Sequence, residues 1–217
     1  MSPKPFNFPI AETFFSLQGE GLYTGVPMFF VRLAGCNVGR NIGSVYTECT
    51  SWCGEKFTCD TDYRPKAGNM TAVEIVRSAH MAGAKHLCLT GGEPILYPVA
   101  EISAHCQQLN LHIETSGTKL IPSLPASRTF ITCSPKQGYL AENDGFIDQW
   151  KFLIGPDTKI EAVEYFLRGK RAKLVYLQPI TEKPEEAANT NYVIQILLRK
   201  HPEWRLSCQL HKYLGLS

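Results

Sequence analysis

HLCLTGGEP, residues 86–94, decides the fold. Its first five residues form a short apolar run of strand length, and the Gly-Gly-Glu-Pro that follows ends it as a turn. An apolar strand of this kind suits a parallel sheet covered by helices, and parallel strands need a crossover helix between them. Helix-length segments flank it on both sides. Residues 71–82 place Val73, Ile75, Val76 and Ala79 at helical spacing, behind Thr71 as N-cap with Glu74 three residues later. Residues 97–109 predict the helix that follows. Further out, strands are predicted over residues 27–34, 111–114, 129–133, 149–154, 174–177 and 204–209, and helices over 159–167 and 185–200. Strands alternating with helices imply an α/β protein with a mostly parallel sheet. There is no internal repeat and no low-complexity tract, and residues 181–186 read as a surface loop.

Polar, Gly- or Pro-bearing clusters stand just after successive strands. They are GCNVG (35–39), TGGEP (90–94), ETSG (114–117), SPK (134–136) and QP (178–179). In parallel barrels and open α/β sheets the chemistry is built at the C-terminal strand edge, so these clusters point to one shared site. Two glycines in TGGEP let backbone approach a ligand closely. Glu114, Thr115 and Ser116 offer a carboxylate and hydroxyls, and Ser134 and Lys136 a hydroxyl and a cation. Taken singly, each has an ordinary reading as a helix cap or a solvated charge.

Length and composition bound the rest. With 217 residues, 44% apolar and 19% charged, the chain is expected to be one globular domain spanning residues 1–217. A net charge of +2 gives no reason to expect a nucleic-acid partner. No apolar run reaches the ~18 residues of a membrane helix, and the N-terminus shows no signal peptide, so no membrane association and a cytoplasmic location are expected.

Eight cysteines are the unusual feature. Cys36, Cys49, Cys53 and Cys59 fall within 24 residues, whereas Cys88, Cys106, Cys133 and Cys208 are scattered and read as plain thiols. Residues 37–64 show little periodicity and are predicted to be a long loop, and loops of that length in compact domains are usually functional. Without an export signal, the clustered thiols suggest a metal or iron–sulfur site rather than a disulfide framework. Zinc closed by four ligands and a [4Fe–4S] cluster held by three thiolates with one open iron both remain in play at this point. The paired C-x₂-C of zinc ribbons is absent.

Taken together, the cysteine loop, GGEP, ETSG and SPK, with ETFFSLQGEG at 12–21, TGVP at 24–27, WRLS at 204–207 and QLHKYL at 209–214, resemble the 7-carboxy-7-deazaguanine synthase family of radical S-adenosylmethionine (SAM) enzymes. The resemblance runs from about residue 9 to the end. The terminal motifs are specific to that family, while GGEP and the cysteine loop are shared more widely. The common C-x₃-C-x₂-C pattern is replaced here by a long insertion, making a cysteine-rich cluster loop at about 36–64. Cys59-Asp-Thr61 is similar to the family's closing Cys-Asp-Thr.

The resemblance implies an incomplete (β/α) barrel and conversion of 6-carboxy-5,6,7,8-tetrahydropterin to 7-carboxy-7-deazaguanine with loss of ammonia, in queuosine and deazapurine biosynthesis. It implies a carbon–nitrogen lyase with a [4Fe–4S] cluster, SAM and Mg²⁺, and no catalytic group beyond the cofactor. Cys36, Cys59 and one of Cys49 or Cys53 would hold the cluster, and Thr61 the Mg²⁺. Gly91, Gly92, Glu93, Glu114, Thr115, Ser116, Ser134, Pro135 and Lys136 would bind SAM. Leu17, Gln18, Gly19, Glu20, Arg32, Thr90 and His211 would bind the pterin. The family also implies a flavodoxin or ferredoxin as electron donor and a homodimer. Two alternatives stand beside it: another small radical SAM enzyme such as a glycyl-radical activase, and a non-catalytic zinc module using all four loop cysteines.

Overall fold

The structure, a computed structural model, describes residues 4–41, 47–59, 61–170, 174–180 and 187–216. In chain order the elements are β1 (Phe8–Leu17), β2 (Pro27–Leu33), β3 (Arg40–Asn41), β4 (Thr47–Thr50), β5 (Lys56–Cys59), β6 (Asn69–Met70), α1 (Ala72–Met81), β7 (His86–Gly91), α2 (Val99–His105) and β8 (Asn110–Thr115). There follow β9 (Thr129–Cys133), β10 (Gln149–Ile154), α3 (Ile160–Leu167), β11 (Val175–Pro179), α4 (Ala187–Arg199), β12 (Arg205–Leu206) and α5 (Leu210–Leu214). The main sheet has nine strands among the described residues, in the order β12-β11-β10-β9-β8-β7-β2-β1-β6. From β2 to β12 every pairing is parallel; β1 runs antiparallel to both β2 and β6. Among the described residues neither outer strand pairs with the other, so the barrel is open.

Strand alternation separates two faces. Leu87, Leu89, Leu111, Ile113, Ile131, Trp150, Phe152 and Leu177 face the helices and join Ile75, Ile102, Val163 and Ile196 in the main core. Each fully buried Leu, Ile or Phe there contributes about 2 kcal/mol through apolar area removed from water. The intervening residues turn inward. They form a column that begins at His86, His112 and Phe130, passes through Cys88, Met28 and Phe30, and ends at Thr90, Glu114, Thr132, Lys151 and Gln178. Polar residues at every second position near the C-terminal strand ends are thus the inner wall of the open barrel.

α1 starts as the sequence predicts. Thr71 Oγ1 accepts from Glu74 N, and Glu74 reaches back to Thr71 N at 2.7 Å, a complete capping box. Four expectations need correction. The first strand is Phe8–Leu17, so the cysteine loop follows the second strand. Residues 37–64 are not structureless, because β3, β4 and β5 form their own antiparallel sheet. The predicted helix at 97–109 shrinks to Val99–His105: Pro98 stands at its N-cap, Pro94–Leu96 makes a separate 3₁₀ turn, and the helix closes at Cys106, whose N–H donates to Ser103 O. The predicted last strand contracts to Arg205–Leu206, and His211 to Leu214 is helical. The expected surface loop at 181–186 lies outside the described residues.

Candidate active site

β4 and β5 explain the unusual cysteine spacing. In their antiparallel register Thr47 opposes Cys59 and Cys49 opposes Phe57. All four side chains therefore share one face of the hairpin. Cys49 and Cys59 are diagonal neighbours on that face, and their thiols hydrogen-bond each other. That bond, burial and the nearby Cys59 and Cys36 sulfurs push the Cys49 thiol well above the ordinary range. Cys53 lies in the hairpin turn, is exposed, and has its Sγ 3.2 Å from Ser51 Oγ. The hairpin is fixed to the barrel by Trp52, whose ring meets Phe152 and Phe166 at 5.4 Å each. Glu55 adds a contact to Thr158, and Gln137 N donates to Thr50 O at 3.3 Å.

Cys36, Cys49 and Cys59 open onto one cavity of about 1000 Å³ at the C-terminal strand ends. Its walls also carry Leu17, Gln18, Gly19, Glu20, Arg32, Thr61, Thr90, Gly91, Gly92, Glu114, Thr115, Ser116, Ser134, Lys136 and His211. Cys53, Glu93 and Pro135 are not among the wall residues. Pro135 is buried beside the wall. Glu93 lies behind it, almost wholly buried, and serves as an internal organiser. One of its oxygens accepts from Ile95 N and Thr115 Oγ1 (3.1 and 2.7 Å) and the other from Ser116 N at 2.8 Å and from Ser116 Oγ. It sets the ETSG turn from below.

Gly91 and Gly92 are required by close packing. Gly91 has φ +107°, and a Cβ on Gly92 would run into the Gly35 carbonyl. Gly92 N donates to Leu33 O at 3.0 Å, and Glu93 N to Gly35 O at 2.9 Å. The GGEP turn is thereby laced to the backbone just before Cys36. Ser134 and Lys136 pair with each other, with Lys136 Nζ 2.8 Å from Ser134 Oγ. Desolvation, then the facing Lys151 charge, lower Lys136 to about 8.

A hydrogen-bonded polar floor lines the same cavity. Gln18 Nε2 donates to Glu114 Oε1 at 3.0 Å, and Thr90 Oγ1 to Glu114 Oε2 at 2.8 Å. Glu20 is held by Lys151 and by Gln178 Nε2, the latter at 3.0 Å. Burial raises the Glu20 carboxyl, but the Lys151 ammonium outweighs it with help from His211, and the net direction is down. Leu210 N donates to Gly19 O at 3.0 Å, which sets α5 and His211 over the Gln18–Glu20 segment. Arg32 touches Glu12 and Thr61, each at 3.4 Å, with its guanidinium 5.6 Å from the Phe14 ring centre.

Gln178, from the strand-end QP cluster, joins the wall as the sequence suggests, whereas Lys151 is a wall residue that the sequence reading did not single out. A signal was available: Gln149 and Lys151 break the apolar run 149–154 at every second position, as an inner face does.

The residues fit a thiolate-held cluster and SAM. Three thiols line the same cavity as the Gly-Gly turn, with the hydroxyls of Thr115, Ser116 and Ser134 and the Lys136 cation available to a ligand there. No three His, Cys, Asp or Glu side chains among the described residues close around a single metal ion. For Mg²⁺, Thr61 offers one neutral oxygen next to the Arg32 cation, while Asp62 is engaged by Arg64 and Lys66. Further oxygens would have to come from water and substrate.

An open, mostly parallel α/β barrel with three thiols and a Gly-Gly turn at its strand ends defines a radical SAM enzyme. No protein-family model matches the chain. It is 36% identical to 7-carboxy-7-deazaguanine synthase from Synechocystis over 97% of its own length and 94% of the relative's. It is 30% identical to the Escherichia coli enzyme of that name, over 97% and 99%. The crystal structure of QueE from Escherichia coli superposes with a TM-score of 0.73 at 28% identity, covering 94% of this chain and 95% of that one. The chain belongs to the 7-carboxy-7-deazaguanine synthase family.

Proposed function

We propose that this protein converts 6-carboxy-5,6,7,8-tetrahydropterin to 7-carboxy-7-deazaguanine with loss of ammonia, as a radical SAM lyase in queuosine biosynthesis. One observation carries the reading: a single cavity is lined both by Cys36, Cys49 and Cys59 and by Gln18, Glu20 and Glu114. When bound, a [4Fe–4S] cluster and SAM supply the one-electron chemistry that starts hydrogen abstraction. The chain's own part is binding, orientation and exclusion of water.

Cys36, Cys49 and Cys59 are the cluster ligands in this reading, and Cys53 is dispensable. The Gly91–Gly92 backbone with Thr115, Ser116, Ser134 and Lys136 receives SAM, and Glu93 and Pro135 shape that wall from behind. Gln18 presents an amide and Glu20 and Glu114 present carboxylates, which match the alternating donors and acceptors of a pterin edge. Arg32 takes the substrate carboxylate, where a guanidinium fork gives paired hydrogen bonds. Thr61 contributes to Mg²⁺, and His211 on α5 closes over the substrate with Leu17, Gly19 and Thr90 around it. A flavodoxin or ferredoxin as electron donor, a homodimer, a single domain over residues 1–217 and a cytoplasmic location complete the proposal. No helix among the described residues is long and apolar enough to cross a membrane.

The test is anaerobic reconstitution with iron and sulfide, then incubation with SAM, dithionite and the tetrahydropterin, with products read by mass spectrometry. 7-Carboxy-7-deazaguanine is the expected product. Formation of 5′-deoxyadenosine without it would move the substrate elsewhere, and a colourless zinc protein would overturn the reading. In the same assay Cys49→Ala loses most of its bound iron and Cys53→Ala keeps it. The reverse pattern would reassign the middle ligand.

A further inference from the structure

The Glu20 carboxylate is the most heavily supported group in the cavity. It stands between β1 and the first 3₁₀ turn, Gly21–Tyr23, yet its partners come from the far side of the sheet. Lys151 reaches it from the middle of β10 and Gln178 from the end of β11. Ser207, just past β12, donates to Gln178 Oε1 at 2.9 Å and so fixes which way the Gln178 amide points. Lys151 and Gln178 are almost fully buried, and Ser207 is only 1% exposed. Gln149, two residues before Lys151, accepts from Leu22 N at 2.9 Å and ties the same turn to β10. Side chains from β10 and β11, backed by Ser207, thus converge on one carboxylate that is distant from them in sequence.

This arrangement is more than a core needs. A buried ion pair gives little net stability over an apolar pair of the same volume. A carboxylate has about four acceptor positions over its two oxygens, and Lys151 and Gln178 each take one on a different oxygen. Both oxygens keep capacity for a ligand's N–H groups.

We propose that Lys151 is a positioning residue for substrate: with Gln178 it fixes the Glu20 carboxylate as a two-oxygen acceptor for the N–H edge of the pterin. The inference rests on the function proposed above and names how its substrate is held. The groups facing Glu20 and Lys151 are Gln178 from β11, His211 from α5, Lys136 from the turn after β9, Cys88 from β7, and Glu114 from β8 through Gln18. Lys151 supplies the largest charge effect on Glu20. Without that ammonium the buried carboxyl takes up a proton more readily, and a protonated oxygen no longer accepts.

The experiment compares Lys151→Met, Glu20→Gln and the double variant as reconstituted enzymes, measuring deazaguanine formation against tetrahydropterin concentration from pH 6.5 to 8.5. Lys151→Met is expected to raise KM about tenfold while kcat stays within about threefold, the pattern of lost uniform binding. Its KM is expected to climb more steeply than that of wild type as pH falls. In the Glu20→Gln background the Lys151→Met change is expected to add less than about twofold, because the two act as one unit. A KM unchanged in Lys151→Met, or effects of the two substitutions that simply multiply, would overturn the inference. Wild-type enzyme that makes no deazaguanine would instead overturn the functional reading. Should Lys151→Met unfold, Gln178→Leu removes the other support of Glu20, and its KM is expected to rise in the same way. An unchanged KM there overturns the inference equally.

Discussion

Glu93 sits in the motif most readily taken for a ligand contact, yet its carboxylate meets only this protein's own groups. Thr115, Ser116 and Ile95 use both of its oxygens. Replacing it with Gln removes the charge and turns an N–H₂ toward groups that already donate. Charge-assisted hydrogen bonds contribute about 1.5–3 kcal/mol each, and a buried donor left facing another donor adds its desolvation cost. Glu93→Gln is therefore expected to lose about 2–3 kcal/mol on urea unfolding of the apoprotein. A variant as stable as wild type would show that Glu93 is not the organiser of the ETSG turn. The sequence alone made Glu93 a candidate because its place after Gly-Gly is visible there. Which way its side chain turns depends on Thr115 and Ser116, 22 and 23 residues away, and local reading has no access to that. Gly92 stands out in the sequence as a place for backbone to approach a ligand, but in three dimensions its missing Cβ makes room for the Gly35 carbonyl, so the residue is legible and its reason is not.

At the level of elements, the hairpin β4–β5 takes the place of a short cysteine loop. Its origin as a strand pair was hidden because the segment has few apolar residues, and a three-stranded sheet this small is stabilised by what it docks on rather than by its own propensity. The docking piece is Trp52 in the turn, edge-on to Phe152 and tilted against Phe166. Trp52 is partly buried, so Trp52→Ala is expected to cost about 2 kcal/mol, below the 3–5 kcal/mol of a fully buried aromatic. In a chain of this size that is about 4–8 °C in Tm. Iron bound after reconstitution is expected to fall further than this stability loss implies, because Cys49 and Cys59 lie on the strands that Trp52 anchors. Full iron loading in a variant with lowered Tm would separate the anchor from the thiols. The parallel strands β7 to β11, by contrast, were readable within a residue or two, since each is a short apolar run closed by a turn. β1 is not announced in the same way, since its antiparallel pairing with β2 leaves no crossover helix between them.

Across the whole molecule, the inner column of the open barrel has a polar mouth, an apolar middle and a second polar layer at the opposite end. That far layer is a histidine pair: His86 Nδ1 lies 2.9 Å from His112 Nε2, and Tyr23 packs edge-on to the His112 ring with centroids 4.5 Å apart. Tyr23 belongs to the 3₁₀ turn that follows Glu20, so the same short turn touches both ends of the column. Burial, then the neighbouring His86, lower His112 to about 4, and burial lowers His86. The sign follows from linkage. An unfolded His takes its proton near pH 6.5, whereas folded His112 refuses it until about pH 4, so the unfolded state gains protons first. The stability held at neutral pH is lost as pH falls through this window, by an amount on the order of 3 kcal/mol for a shift of this size. Unfolding of the apoprotein at pH 7.5 and at pH 5 is the measurement. Wild type is expected to lose stability between the two, and His112→Phe, which keeps a ring between Tyr23 and Phe130 but cannot take a proton, is expected to lose less. An equal loss in both proteins would assign the acid sensitivity to groups other than this pair. A smaller loss in the variant would show that the end of the column opposite the cavity sets the acid limit of the fold.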